Sequence, residues 1–194
     1  MEKFSRKEKV ALVIFGVILL AIIAQMAWRL GEFGSAPQSD MVENAKLNRA
    51  NDLLKGSGVR LSSSSHNQDS EIVDKLVDNA PHTFWHVSSD RLGEPAWVMV
   101  DFGEGGEKIV RSLGALPRKK LFRQFFRTAE LLGSDNGEDW ETISSIVQDV
   151  QPKSASWREW KFENERAFRY YKLLITTGYE SGKFYSMAEL ALFE

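Results

Sequence analysis

The 194-residue sequence contains no cysteine, which excludes disulfide bonds, thiolate metal sites and covalent haem attachment. It also lacks an excess of charge of either sign, because 25 Lys and Arg residues against 27 Asp and Glu residues give a formal net charge of −2. A chain with so little net charge has no overall field that attracts nucleic acid. We therefore expect no nucleic-acid partner.

Residues that could build a catalytic site are also few. The three histidines are His66, His82 and His86, and the proline before His82 disfavours a helix that would pair the last two around a metal. The serines at 62–65 neighbour His66 only in sequence, which does not define a catalytic triad. Gly103–Gly106 is followed by strand-like residues and not by the Lys-Ser/Thr and helix of a phosphate loop. We expect a chain that is not an enzyme.

One long uncharged run interrupts this otherwise polar sequence. Val10–Trp28 has 19 residues, of which Gln25 is the one polar residue. A helix of this length reaches roughly 28 Å, close to the hydrocarbon thickness of a bilayer. Trp28 lies where interfacial aromatic residues are found, and the run lacks the polar stripe of a core helix. The sequence therefore predicts a transmembrane helix over residues 10–29.

Flanking cations predict the orientation of this helix. Residues 1–9 carry four Lys or Arg residues, whereas the fifteen residues after Trp28 carry only Arg29. By the positive-inside rule, residues 1–9 are a cytoplasmic tail and the rest is periplasmic or extracellular, as in a single-pass inner-membrane protein. A cleaved signal peptide is the alternative, but its apolar core is usually ~7–15 residues and ends at an Ala-x-Ala site, which is missing here. We expect an uncleaved signal anchor.

Residues 30–57 are predicted to link this anchor to a domain. Residues 31–39 are rich in Gly, Pro and Ser, which is typical of irregular structure. The pattern over 40–54 predicts a short helix that is capped by Ser39 or Asp40 and ended by Gly56. Its apolar face would consist of Met41, Ala45, Leu47, Ala50 and Leu54.

From Val59 onward, short apolar runs alternate with turn signals such as Asp135-Asn136-Gly137. Eight runs at this spacing predict an all-β domain, an antiparallel β-sandwich, with one helical turn at Ser70–Asp78. Most of the six Trp and twelve Phe residues fall in this region, as expected for aromatic core positions. The predicted strands are Val59–Ser63, Ala96–Phe102, Lys108–Ala115, Phe126–Gly133, Ile143–Val147, Glu159–Phe162, Tyr170–Thr176 and Met187–Phe193.

Six motifs in this region follow the order of a known family. They are the Ser-rich strand at 59–65, Asp78-Asn-Ala-Pro-His-Thr-Phe-Trp85, Trp97-Val-Met-Val-Asp-Phe-Gly103, Ser134-Asp-Asn-Gly-Glu-Asp-Trp140, Phe168-Arg-Tyr-Tyr-Lys-Leu-Leu174 and Ala188-Glu189-Leu190. Together they resemble the discoidin domain, also called the coagulation-factor type C domain. This domain has a galactose-binding-like fold, which is also the fold of family-32 carbohydrate-binding modules. The resemblance covers about 58–194 and implies a non-catalytic discoidin-like jelly roll. Asn79, Ala80 and Asn136 depart from the family's usual Gly, acidic residue and Asp.

The resemblance also implies a structural Ca²⁺. Many family members hold this ion between the loop of the second motif, here Asp78–Thr83, and the Glu of the last motif, here Glu189. The matching residues are Asp78, Thr83 and Glu189, with a main-chain oxygen of Ala80. Such a set of carboxylate, hydroxyl and carbonyl oxygens suits a hard cation. Because Ala80 replaces an acidic residue, the alternative is a metal-free loop that hydrogen bonds from Asp78 and Thr83 hold together.

The segment Arg118–Arg127 combines five cations with three Phe residues. Its start resembles a Leu-Pro-Arg sequence of some sugar-binding members, which implies a place near the family's ligand face. Three uses compete: a hydrogen bond from Arg118 to a sugar, contact with anionic lipid headgroups, or docking of an acidic protein. The fourth possibility is a solvated strand edge with Phe126 in the core.

Two functions remain open from the sequence. In the first, the chain is a membrane-anchored accessory subunit that stabilises a larger membrane complex, and Gln25, Ala21, Ala24 and Ala27 contact another helix. In the second, it is a membrane-tethered module that binds a glycan or cell-wall polymer. The candidate sugar contacts are His86, Arg91, Arg118, Phe122, Arg123 and Tyr179.

Overall fold

A computed structural model describes residues 40–44, 46–88, 95–179 and 184–194 of the chain. Strands form where buried and less buried residues alternate, as in Ala96–Asp101, whose Val98 and Val100 are buried. The ten strands of the described residues are β1 (Asp40–Asn44), β2 (Arg60–Ser63), β3 (Trp85–His86), β4 (Ala96–Asp101), β5 (Ser112–Pro117), β6 (Phe126–Ser134), β7 (Glu141–Val147), β8 (Trp157–Lys161), β9 (Tyr170–Gly178) and β10 (Ser186–Phe193).

These strands form two five-stranded antiparallel sheets with the orders β2-β4-β9-β6-β7, here sheet A, and β1-β8-β5-β10-β3, here sheet B. One core cluster lies between them, and Trp85, Trp160 and Phe126 are fully buried in it. The predicted all-β antiparallel sandwich is therefore confirmed. The hairpin between β6 and β7 turns at Gly137, whose φ of 79° explains the glycine of the Asp-Asn-Gly signal.

The prediction of a helix over residues 40–54 is wrong. Residues Asp40–Asn44 form β1, which pairs with β8, and the remaining helical structure is one 3-10 turn at Leu53–Lys55. The apolar positions at 41, 47 and 54 fit a helical period, but a partner strand was available, and tertiary pairing outweighed local preference. Asp52, and not Ser39 or Asp40, caps the turn by accepting a hydrogen bond from the Leu54 N–H.

One predicted strand is shorter in the structure, and one strand was not predicted. The strand predicted at Lys108–Ala115 begins at Ser112, because Lys108 forms only an isolated bridge with Phe168. β3 was not predicted, since two residues are too short for a visible period. The turn expected within Ser70–Asp78 is present as a 3-10 turn at Val73–Leu76.

The segment 46–55 packs against sheet B. Leu47 packs over Gly114, where a Cβ atom would approach its Cδ2 to 2.5 Å. Arg49 lies over the Trp157 ring, 5.0 Å from its centroid, and donates a hydrogen bond of 2.7 Å to Glu189. This part of the predicted linker is therefore packed onto the domain.

The described part of the chain contains no helix with the length and apolar character needed to cross a membrane. The predicted span Val10–Trp28, with its proposed contact residues Gln25, Ala21, Ala24 and Ala27, lies outside the described residues.

Candidate ligand site at the loop end of the sandwich

The start of β10 brings two of the predicted ligand residues together. β10 pairs with β5 on one side, where Met187 is opposite Pro117, and with β3 on the other, where Ser186 is opposite His86. Arg118 follows β5 directly, so Arg118 and His86 flank the start of β10 at one end of sheet B.

The Glu71 carboxylate fixes the His86 side of this site. Its Oε2 lies 3.3 Å from His86 Nδ1 and accepts a hydrogen bond of 2.9 Å from the Asn67 side-chain amide. Two backbone hydrogen bonds join the same residues, from His86 N–H to Glu71 O and from Asn67 N–H to His86 O. His86 is 8% exposed, so it lies behind the more accessible Glu71 and Asn67.

Arg118 forms the other side. Its guanidinium lies over the Phe84 ring, 3.4 Å from the centroid, and donates to Gln124 Oε1 at 3.3 Å. The Ser186 hydroxyl donates to the same Gln124 oxygen, at 3.1 Å. Burial lowers the pKa of Arg118, and the nearby Glu71 charge partly opposes this effect. The Glu71 carboxylate thus contacts His86 on one side of the site and attracts the Arg118 guanidinium on the other. The guanidinium remains charged at neutral pH.

Aromatic rings complete the site. Phe184 stacks on His86 with the ring centroids 6.1 Å apart and the planes 15° from parallel. Phe84 and Phe184 are both half-buried, whereas Trp85 between the site and the core is fully buried and donates its indole N–H to Ser65 O. Ring faces beside a guanidinium, a carboxylate and two amides suit a ligand that has many hydroxyls and an apolar face.

The other predicted ligand residues have different positions. Phe122 and Arg123 belong to the 3-10 turn Phe122–Gln124, next to the site. Tyr179 donates its hydroxyl hydrogen bond to Gln148 O at the end of β7, and burial raises its pKa to about 12. Arg91 lies outside the described residues.

Sequence reasoning missed Glu71, Gln124 and Phe184. Glu71 lies in a polar turn with no motif, and its role depends on β3, which was itself not predicted. Gln124 is the one uncharged polar residue within Arg118–Arg127, and this is the signal in the sequence that distinguishes it from the surrounding cations.

The predicted calcium ligands lie together. The Thr83 hydroxyl is 2.8 Å from Ala80 O and 2.8 and 3.0 Å from the two Asp78 carboxylate oxygens, although it has one proton to donate. Asn79, in place of the family's glycine, adopts a φ of 60°, which asparagine tolerates. Glu189 is 1% exposed; burial raises its pKa, while Arg49 and the nearby Ala80 amide lower it.

These residues fit a calcium ion by one specific observation. Glu189 Oε2 accepts a hydrogen bond from Arg49, but the buried Oε1 has no hydrogen-bond partner among the described residues. A cation would satisfy that oxygen together with those of Asp78, Ala80 and Thr83. No group of three or more His, Asp or Glu side chains suited to a metal occurs in the described ranges, so neutral oxygens would have to contribute.

The F5/8 type C domain model matches residues 60–190 of the chain. No curated protein matches the chain.

Solved structures of sugar-binding modules have a similar fold. The Clostridium perfringens module CpGH89CBM32-5, in complex with GalNAc-β-1,3-galactose, is 24% identical over 70% of this chain and 95% of its own, with a TM-score of 0.60. The family-32 module of C. perfringens NanJ, in complex with galactose, is 20% identical over 70% and 93%, with a TM-score of 0.58. Chitosan-binding module 1 of a Paenibacillus sp. IK-5 chitosanase/glucanase is 16% identical over 70% and 94%, with a TM-score of 0.55. These three structures are binding modules.

Proposed function

Because the chain belongs to the F5/8 type C domain family, we propose that it is a non-catalytic carbohydrate-binding module. The observation that supports this most is the convergence of Glu71, His86 and Arg118 beside the Phe84 and Phe184 rings. The galactose-containing ligands of the two Clostridium perfringens modules make a galactose-type sugar the first one to test.

Each group has a role in this proposal. Arg118 donates charge-assisted hydrogen bonds to ring hydroxyls, and Glu71 accepts one. The Phe184 ring packs against the apolar face of the sugar. His86 and Glu71 fix each other's orientation, and the His86 ring supports Phe184. Since Gln124 and Asn67 already bind these side chains, the site is organised before the sugar arrives, which reduces the entropic cost of binding.

Calorimetric titration with galactose and with GalNAc-β-1,3-galactose tests the proposal. Arg118→Met keeps an unbranched stem over Phe84 but removes the donors, so we expect at least ~10-fold weaker binding. Arg127→Met changes an exposed cation of the same segment and is the matched control. Equal affinity of Arg118→Met and wild type, or no binding of either sugar by the wild type, would contradict the proposal.

We also propose that Asp78, Ala80, Thr83 and Glu189 hold a structural Ca²⁺. The ion would neutralise the two carboxylates and satisfy the buried Glu189 oxygen, so its effect is on stability and not on chemistry. Thermal unfolding should therefore occur at a higher temperature in millimolar Ca²⁺ than in chelator. An Asp78→Asn variant should lose most of this difference, and an unchanged wild-type melting temperature would exclude the ion.

The membrane position of the module is a proposal from the sequence. The uncharged run Val10–Trp28 and the cations before it support a single-pass anchor with the module outside the cytoplasm. Membrane fractionation of the full chain and of a chain lacking residues 1–30 tests this. The hypothesis of an accessory subunit rests on the same anchor and stays a prediction, and the comparisons favour sugar binding over it.

A further inference from the structure

A separate cleft of about 620 Å³ opens at the other end of sheet B, where β5 begins and β8 and β10 end. One wall is the segment Asn48–Leu53, and the floor is the outer face of these three strands. The candidate ligand site around Glu71, His86 and Arg118, here called the loop-end site, lies where β5 ends and β10 begins. The cleft and the loop-end site are therefore at opposite ends of the same strands.

The wall of this cleft comes from chain that precedes the family match at residues 60–190. It is nevertheless held firmly. Arg49 binds Glu189 at 2.7 Å, Asp52 Oδ1 accepts from the Leu192 N–H at 3.3 Å, and Leu54 is 5% exposed in the core. The cleft is therefore built before any ligand binds, and it is an addition to the part of the chain that the family model describes.

Two cations, Arg111 and Lys161, lie at the rim of the cleft. Lys161 is the last residue of β8 and lies opposite Ser112, the first residue of β5. Arg111 immediately precedes β5, and its carbonyl oxygen accepts a hydrogen bond of 3.0 Å from the Phe162 N–H, so both cations lie at this end of the sheet. Both residues are exposed, and neither forms an ion pair with a described residue. Arg111 also acts electrostatically on the Tyr171 hydroxyl, whose pKa burial raises and the Arg111 charge lowers. The acid nearest in the ladder, Glu159, is already bound by the Ser112 hydroxyl at 3.2 Å.

The remaining lining is suited to hydroxyl groups and to a sugar ring. Asn48 and Asn51 contribute exposed amides, Glu159 and Glu194 contribute acceptor oxygens, and Phe193 contributes a half-buried ring. We propose that this cleft binds a carboxylated saccharide, with the carboxylate between Arg111 and Lys161 and the ring on Phe193. A uronic acid has this combination of one anion, several hydroxyls and an apolar face.

Calorimetric titration of the full chain with digalacturonate, with galactose and with inorganic phosphate tests this proposal. We expect Arg111→Ala and Lys161→Ala each to weaken digalacturonate binding at least ~10-fold and to leave galactose binding unchanged. Lys153→Ala, an exposed cation outside the cleft, is the matched control and should bind as the wild type does.

Three outcomes would overturn the proposal. The wild type does not bind digalacturonate; Arg118→Met abolishes that binding, which would assign it to the loop-end site; or phosphate binds as tightly, which would show an anion site without sugar recognition. Melting temperatures of the variants establish that a loss of binding is not a loss of fold. If the loop-end site fails to bind galactose while digalacturonate still depends on Arg111, only the proposed function is wrong.

Discussion

Glu71 Oε2 lies 3.3 Å from His86 Nδ1 and accepts a hydrogen bond of 2.9 Å from Asn67. One carboxylate oxygen thus links the loop residue Asn67 to His86 of β3. Burial lowers the pKa of Arg118, and the Glu71 charge partly opposes that effect. The candidate sugar site is organised around this side chain, which no motif in the sequence indicated.

We predict that Glu71→Gln weakens galactose binding roughly 10-fold while the fold persists, because the variant loses the charge that orients His86 and Arg118. Calorimetric titration measures the affinity, and circular dichroism checks the fold. Asp69→Asn removes an exposed carboxylate two residues away and should bind as the wild type does. A Glu71→Gln variant with wild-type affinity would remove Glu71 from the site.

Asp52 should carry much of the stability of the segment 46–55. Its Oδ1 accepts from the Leu54 and Leu192 N–H groups and its Oδ2 from Arg49, whose side chain is 9% exposed. Asp52→Ala leaves these buried donors unpaired, so we expect a loss of about 3 kcal/mol in the free energy of unfolding. Urea unfolding measures it, and Asp149→Ala, at an exposed acid, should differ little from wild type.

The segment 40–54 shows where sequence reasoning about the fold failed. Strands such as β4 and β9 were predictable because their alternation is local, and each faces a core that buries every second residue. β1 shows its strand character only through its pairing with β8, about 115 residues later in the chain, and no local pattern reports such a partner.

Gly133 should tolerate a methyl group worse than Gly114. A Cβ at Gly133 would lie 2.5 to 2.8 Å from the ring of the buried Phe168, whereas at Gly114 its closest neighbour is the flexible end of Leu47. We expect Gly133→Ala to cost about 2 kcal/mol and Gly114→Ala below about 1 kcal/mol in the free energy of unfolding. Equal costs in urea unfolding would contradict this account of the two contacts.

Asp101 should make stability depend on acid pH. The Arg169 side chain donates to its two carboxylate oxygens at 2.8 and 3.1 Å and holds the pKa of Asp101 below its ordinary value, against the effect of burial. Because the folded pKa is the lower one, the stabilisation is complete above about pH 5 and is lost as the pH falls through the folded pKa.

We therefore predict that Asp101→Asn lowers the melting temperature by a few degrees at pH 7, and that the difference from wild type shrinks as the pH falls from about 5 to about 2. Asp135→Asn is the control, because Asp135 and its partner Arg166 are both more than half exposed and their pair should matter little. A difference that does not change with pH would show that the Asp101 charge is not responsible.

Two residues of the candidate site were named from the sequence. Arg118 and His86 were identified, the first by its motif, and the structure brings them to either side of β10. Tyr179 was chosen by its loop position and instead binds Gln148, because a position at a strand end does not specify which way a side chain points. Asp78, Thr83 and Glu189 were named from the family motifs in which they stand, and calcium binding by them stays a prediction.

The most direct test of the central claim is the mapping of amide chemical shifts of the wild-type domain during a galactose titration. The account predicts that the largest changes fall on Glu71, His86, Arg118 and Gln124, and that residues around Arg111 and Lys161 change little. Saturation with no change at these four residues, or changes confined to the opposite end of sheet B, would contradict it.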